Sequence, residues 1–159
     1  MAIRSLKIKK LTLDNKKRCF YIYTYKGIMP FPYSKLHLIP SNKNPIQVAY
    51  PDKELGCHAF TYVLESGVED TVPVDAVLEY NKDPEYMRKM LLYKLSLKAQ
   101  EILEKKKINK REIIRRLGTS PTQFYRLIDQ AFYGKTVDQM IKLLSALDYS
   151  VEVVVKKVA

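Results

Sequence analysis

Apolar residues recur every second position through the first half of the chain and every third or fourth through the second half, and the change falls near residue 83. Leu6 and Ile8 alternate with Lys7 and Lys9, and Leu11 and Leu13 with Thr12 and Asp14. Asp14-Asn15-Lys16 reads as a turn, Cys19 to Tyr25 as the next strand and Lys26-Gly27 as its end. Residues 28 to 45 hold four of the eight prolines, Pro30, Pro32, Pro40 and Pro45. Proline cannot donate to a ladder, so an irregular loop with at most one short strand is expected there. Ile46 to Ala49 is a strand candidate, and Ala59 to Glu65, Ser66-Gly67 and Thr71 to Val74 predict a hairpin.

After residue 83 the signals are helical. Asp83-Pro84 places a carboxylate at an N-cap and proline at the first helical position. Met87, Leu91, Leu95, Ala99, Ile102 and Leu103 then mark one face of a long helix ending near Lys106. Three shorter helices follow, each opened by a residue pair that forms a capping box: Asn109 with Glu112, Ser120 with Gln123, Thr136 with Gln139. Gly118 stands where a helix would end in the left-handed conformation. Val151 to Val155 carries a short strand signal. The fold expected is α+β, with a β-rich domain over 1–82 and an all-α domain over 83–159 that finishes in that strand.

Charge sharpens the division. The 159 residues carry 28 Lys and Arg against 17 Asp and Glu, a net of +11. Residues 84–159 hold 16 bases and 8 acids. Residues 1–51 hold ten bases and one acid, whereas residues 52–83 hold two bases and eight acids. Such a balance suits a polyanionic partner and bears on partners, not on fold. The first residues lead into alternation rather than a long apolar run, so neither a signal peptide nor a membrane span is expected, and the location expected is cytoplasmic. Two cysteines do not make a disulfide framework.

The apolar positions Ile113, Ile114 and Leu117 of one short helix and Phe124, Leu127 and Ile128 of the next pack on each other if the helices cross at the Gly118 turn. That is helix-turn-helix geometry, in which the second helix offers its outer face to the major groove. The outer face is then Pro121, Thr122, Gln123, Tyr125 and Arg126. Gln pairs with adenine, Arg with guanine, and Thr meets a base edge or a thymine methyl. Lys110, Arg111, Arg115, Arg116 and Lys135 surround this face as candidate phosphate contacts, which supply affinity without sequence choice.

The stretch from Asn109 to Asp129 resembles the phage-repressor (XRE) helix-turn-helix, and Thr136 to Val155 resembles the fourth helix and closing strand of that family. Arg126-Leu-Ile-Asp129 and Leu144-Ser-Ala-Leu147 make it most similar to the C-terminal domains of HicB- and HigA-type antitoxins. The resemblance covers about residues 88–157 and leaves 1–83 unmatched. It implies a five-helix core, a homodimer on palindromic double-stranded DNA, base contacts from Pro121, Thr122, Gln123 and Arg126, and a backbone contact from Lys135. Two departures are visible: Ile114 stands where the family usually has alanine, and the linker from Gln130 to Lys135 is longer than in phage repressors. The expectation is a dimeric transcriptional regulator, most simply a repressor, with no enzymatic activity and no cofactor. Its alternative is an antitoxin that binds a toxin through the N-terminal domain and represses its own operon. Val151, Val153 and Val155 are the expected dimer contacts, pairing with their symmetry mates.

Other candidates are weaker. Cys19, His37, Cys57 and His58 lack metal-ligand spacing, so no metal site is expected. Cys57 and His58 would point to opposite faces of a strand, which argues against a nucleophile and base. Tyr21, Tyr23 and Tyr25 form a stripe beside Lys16, Lys17 and Arg18 that suits base stacking; a strand buried on both faces is the more ordinary reading. The acidic residues Glu65, Glu69, Asp70, Asp75 and Glu79 suit either a solvated hairpin edge or a basic partner.

Overall fold

The structure is a computed structural model and describes residues 6–157. It comprises two compact units that divide between Met87 and Arg88. The first is a two-sheet β region and the second is all-α.

The β unit begins with Leu6 and Ile8, both buried, and continues into β1 (Lys10–Asp14), β2 (Cys19–Thr24) and β3 (Gly27–Pro32), one antiparallel sheet in that order. A second antiparallel sheet contains β4 (Ile46–Pro51), β5 (Ala59–Leu64) and β6 (Glu69–Pro73). The hairpin expected around Ser66-Gly67 is β5 and β6. Burial alternates along β2, with Phe20, Ile22 and Thr24 buried and Tyr21 and Tyr23 half-buried. The strand is therefore fully buried on one face and half-buried on the other. Its inner face meets the second sheet through Phe20, whose ring lies 4.9 Å from Phe60 and 6.0 Å from Tyr62.

The proline-rich stretch holds one short strand, β3, and is otherwise irregular, as expected. The strand tolerates its prolines because β3 lies at the sheet edge. Pro30 and Pro32 are paired with Tyr21 and Cys19 and stand two residues apart, so both missing N–H groups fall on the side away from β2. The acidic stretch also contains a helix, α1 (Val74–Tyr80), which buries Val74, Val77 and Leu78. That spacing of three and one is a helical signature, hidden in a short segment directly after a strand.

α2 (Pro84–Lys106) is the expected long helix. Its buried line is Leu92, Ser96, Ala99 and Leu103 with Ile102, whereas Met87 and Leu91 are exposed. The expected face was thus rotated at its N-terminal end. α3 (Lys110–Leu117), α4 (Pro121–Ile128) and α5 (Val137–Ala146) follow. Among the described residues the second unit thus holds four helices, not five. Its core combines Leu92, Ala99, Ile113, Phe124, Leu127, Met140, Leu143 and Leu147 from all of them.

Residues 151–157 form no strand. Among the described residues the helical unit offers no strand for this segment to pair with, and Val153, Val154 and Val155 stand 79%, 77% and 90% exposed. No helix among the described residues is long and apolar enough to cross a membrane.

Candidate nucleic-acid interface

α3 ends at Gly118, whose φ of 63° lies in the left-handed region and closes the helix through its N–H to Arg115 and Ile114 carbonyls. A side chain there would be strained. Two residues later Ser120 starts α4: its Oγ accepts the Gln123 N–H at 3.2 Å, and Pro121 occupies the first turn without losing a bond. α4 buries Phe124 and Leu127 against the core and half-buries Ile128. Its remaining residues, Pro121, Thr122, Gln123, Tyr125 and Arg126, are all exposed on the opposite side. The expected base-reading set therefore shares one solvent face of one helix.

Tyr125 packs edge-on against Phe124 at 5.5 Å, with the Lys110 ammonium 5.7 Å from its ring. The Arg126 guanidinium lies 5.7 Å from the Phe132 ring, so the linker after α4 steadies its longest side chain. Only one of the three expected capping boxes is complete: Thr136 Oγ accepts the Gln139 N–H, and Gln139 Oε1 accepts the Thr136 N–H. Asn109 instead accepts from Arg111 N at 3.0 Å, and Glu112 turns to the arginines of its own helix.

The candidate phosphate contacts fall into three groups. Lys110 and Arg111 are exposed. Arg115 and Arg116 are exposed but both bind Glu112, at 2.6 Å and 3.3 Å, and Arg116 also donates to the Ala146 carbonyl at 3.0 Å. The hydrogen bond from Arg115, with the charge beside it, holds the Glu112 carboxyl below the usual carboxylate range. Surface pairs of this kind are weak, so a phosphate can compete for either arginine.

Lys135 departs from expectation. It is 3% exposed, and its ammonium faces inward, not toward a ligand on the surface. Nζ donates to the carbonyls of Leu127 at 2.8 Å and Asp129 at 2.7 Å, lies 3.5 Å from that of Arg126, and meets Ser96 Oγ. These are the carbonyls that the end of α4 leaves without helical partners. The single Ser96 hydroxyl hydrogen is shared between the carbonyls of Leu92, at 2.9 Å, and Leu127, at 3.2 Å, and Gln100 Nε2 donates to that of Ile128. Burial pulls the Lys135 ammonium down to about 8, opposed by the nearby Asp129 carboxylate. A cation at this helix end also interacts favourably with the helix dipole. Ser96 and Gln100 were not singled out from the sequence. The available signal was a serine in register with Leu92, Ala99 and Leu103 on an apolar face.

The cysteines Cys19 and Cys57 are free and half-buried, and no group of three or more potential metal ligands occurs among the described residues. A cavity of about 180 Å³ in the β unit is lined by Asn15, Arg18, Tyr33, Ser41 and Asn42 among others. No family model matches the chain, and neither a curated protein nor a solved structure matches it.

Proposed function

We propose that the helical unit is a helix-turn-helix DNA-binding domain and that the chain is a sequence-specific transcriptional regulator. The observation that carries this reading is the exposed face of α4, where Thr122, Gln123, Tyr125 and Arg126 stand together while Phe124 and Leu127 anchor the helix from below. Gln and Arg supply the bidentate donors and acceptors that distinguish bases in the major groove, and Thr supplies a methyl and a hydroxyl. Lys110 and Arg111 at the start of α3 provide phosphate contacts, joined by Arg115 and Arg116 when the Glu112 pairs open. The resemblance to phage-repressor domains favours the same assignment. A two-fold dimer on a palindromic site would pair the Val151–Val155 segment with its symmetry mate through Val153 and Val155, which are exposed, while Val151 packs partly against the helical core.

Fluorescence anisotropy with duplex fragments from upstream of the protein's own gene tests this. One fragment should bind far more tightly than the rest, with affinity falling steeply as salt rises. Arg126→Ala should weaken that fragment by about 1–3 kcal/mol and relax its base preference. Equal, weak binding to every fragment would reduce the helices to a basic scaffold.

A further inference from the structure

We propose that the outer face of the first β sheet is a second, separate binding site, for single-stranded nucleic acid. The register of the sheet defines this face. Lys10, Tyr23 and Ile28 lie opposite one another, as do Thr12, Tyr21 and Pro30. Direct cross-strand partners share a face, so these six residues form one patch, opposite the buried Phe20 and Ile22. Lys10, Thr12, Ile28 and Pro30 are exposed, and the two tyrosines are half-buried on the central strand. Tyr25 continues their alternation into the following turn and is 72% exposed.

The spacing fits stacked bases. Residues two apart on a strand rise roughly 7 Å, so Tyr21 and Tyr23 are consecutive ring platforms for the bases of an extended strand. The charge fits the backbone that joins those bases. Exposed Lys7, Lys9 and Lys10 lie toward one end of the tyrosine row, and exposed Lys16 and Lys17 lie in the turn at the other, where the Arg18 guanidinium is instead turned to the Pro40 carbonyl at 2.7 Å and to the Tyr33 ring. The sole acid among residues 1–51 is Asp14, and its carboxylate is occupied by the backbone N–H groups of Lys16 and Lys17 at 3.1 Å and 3.0 Å. The Lys10 ammonium lies over the Tyr23 ring, 4.5 Å from its centroid, so a stacking base displaces it from the ring and frees it for the adjoining phosphate. An acidic protein would use the lysines and leave the tyrosines idle. A duplex would hide its base faces from them. A single strand uses both features.

The test is anisotropy of the full chain with fluorescein-labelled oligo(dT), oligo(U) and oligoglutamate. Both oligonucleotides should bind, and Tyr21→Leu with Tyr23→Leu should weaken them roughly tenfold or more, as expected for lost stacking. Tyr21→Phe with Tyr23→Phe should retain binding. Lys16→Gln with Lys17→Gln lies in an exposed turn and keeps the test valid if the leucine pair fails to fold. This variant should weaken binding and flatten its salt dependence. Arg126→Ala should leave single-strand binding unchanged, so loss of duplex recognition and loss of this site are separable. The proposal is overturned if oligonucleotides do not bind, if the leucine pair binds them as tightly as the unmodified protein, or if oligoglutamate competes fully with them.

Discussion

The two ends of α4 are closed in opposite ways. At the N-terminal end Ser120 and Pro121, adjacent in the chain, satisfy and spare the orphan donors. At the C-terminal end there is no glycine, Asp129 is extended, and the last carbonyls are bound by Lys135 and by Ser96 and Gln100 of α2. The first closure is local and cheap to form. The second holds only when α2, α4 and the linker are already packed, and it places a cation where water is excluded. The candidate reading face therefore rests on a tertiary polar cluster at one end and a local cap at the other.

Removing the tertiary closure should have the larger effect. Lys135→Ala strips donors from the Leu127 and Asp129 carbonyls and leaves the volume of its stem empty, which should cost about 3 kcal/mol in urea unfolding of the helical unit. A loss no larger than that of a surface lysine would show that the cluster is incidental. Next comes the pH dependence of the same group. Its folded-state pKa of about 8 lies below the ordinary 10.5, so between these values the unfolded chain holds a proton that the folded chain has released. Stability must then rise with pH across that window, by about 2 kcal/mol between pH 7 and 9.5. Stopping at 9.5 avoids Tyr33 and Tyr62 of the β unit, whose burial raises them above the usual phenol range. Lys135→Ala should abolish the rise, and a flat profile in the unmodified protein would place the ammonium in a wetter setting. Ser120→Ala should have the smallest effect, about 1 kcal/mol, the ordinary value of an N-cap. If it exceeded Lys135→Ala, the comparison between the two ends would be reversed.

The same contrast explains what could be foreseen. The three short helices were legible because Asn109, Ser120, Thr136, Pro121 and Gly118 act through neighbours one to four residues away. The exposed set on α4 followed from periodicity alone. Lys135 was misplaced for the opposite reason: its partners Ser96 and Leu127 are 39 and 8 residues distant, and a lysine is ordinarily solvated. In the β unit the strands around Tyr21 and Phe60 were visible as alternation, whereas the one short strand expected among the prolines had no fixed place, and it runs through Pro30 and Pro32. Its legitimacy depends on lying at an edge, which is a property of the sheet. Helix α1 was missed because seven residues give barely two turns of periodicity.

By itself, then, the sequence determined where short helices begin and end, which half is β and which is α, and which side of α4 meets water. Each of these depends on interactions within one or two turns or on a fixed period. Only the tertiary structure decided that Lys135 is internal, that β3 is an edge, that the Tyr21 and Tyr23 face is half-buried and that Val151 to Val155 pairs with no strand among the described residues. Those outcomes depend on which surfaces remain once distant elements have packed, and no local pattern of residues encodes that.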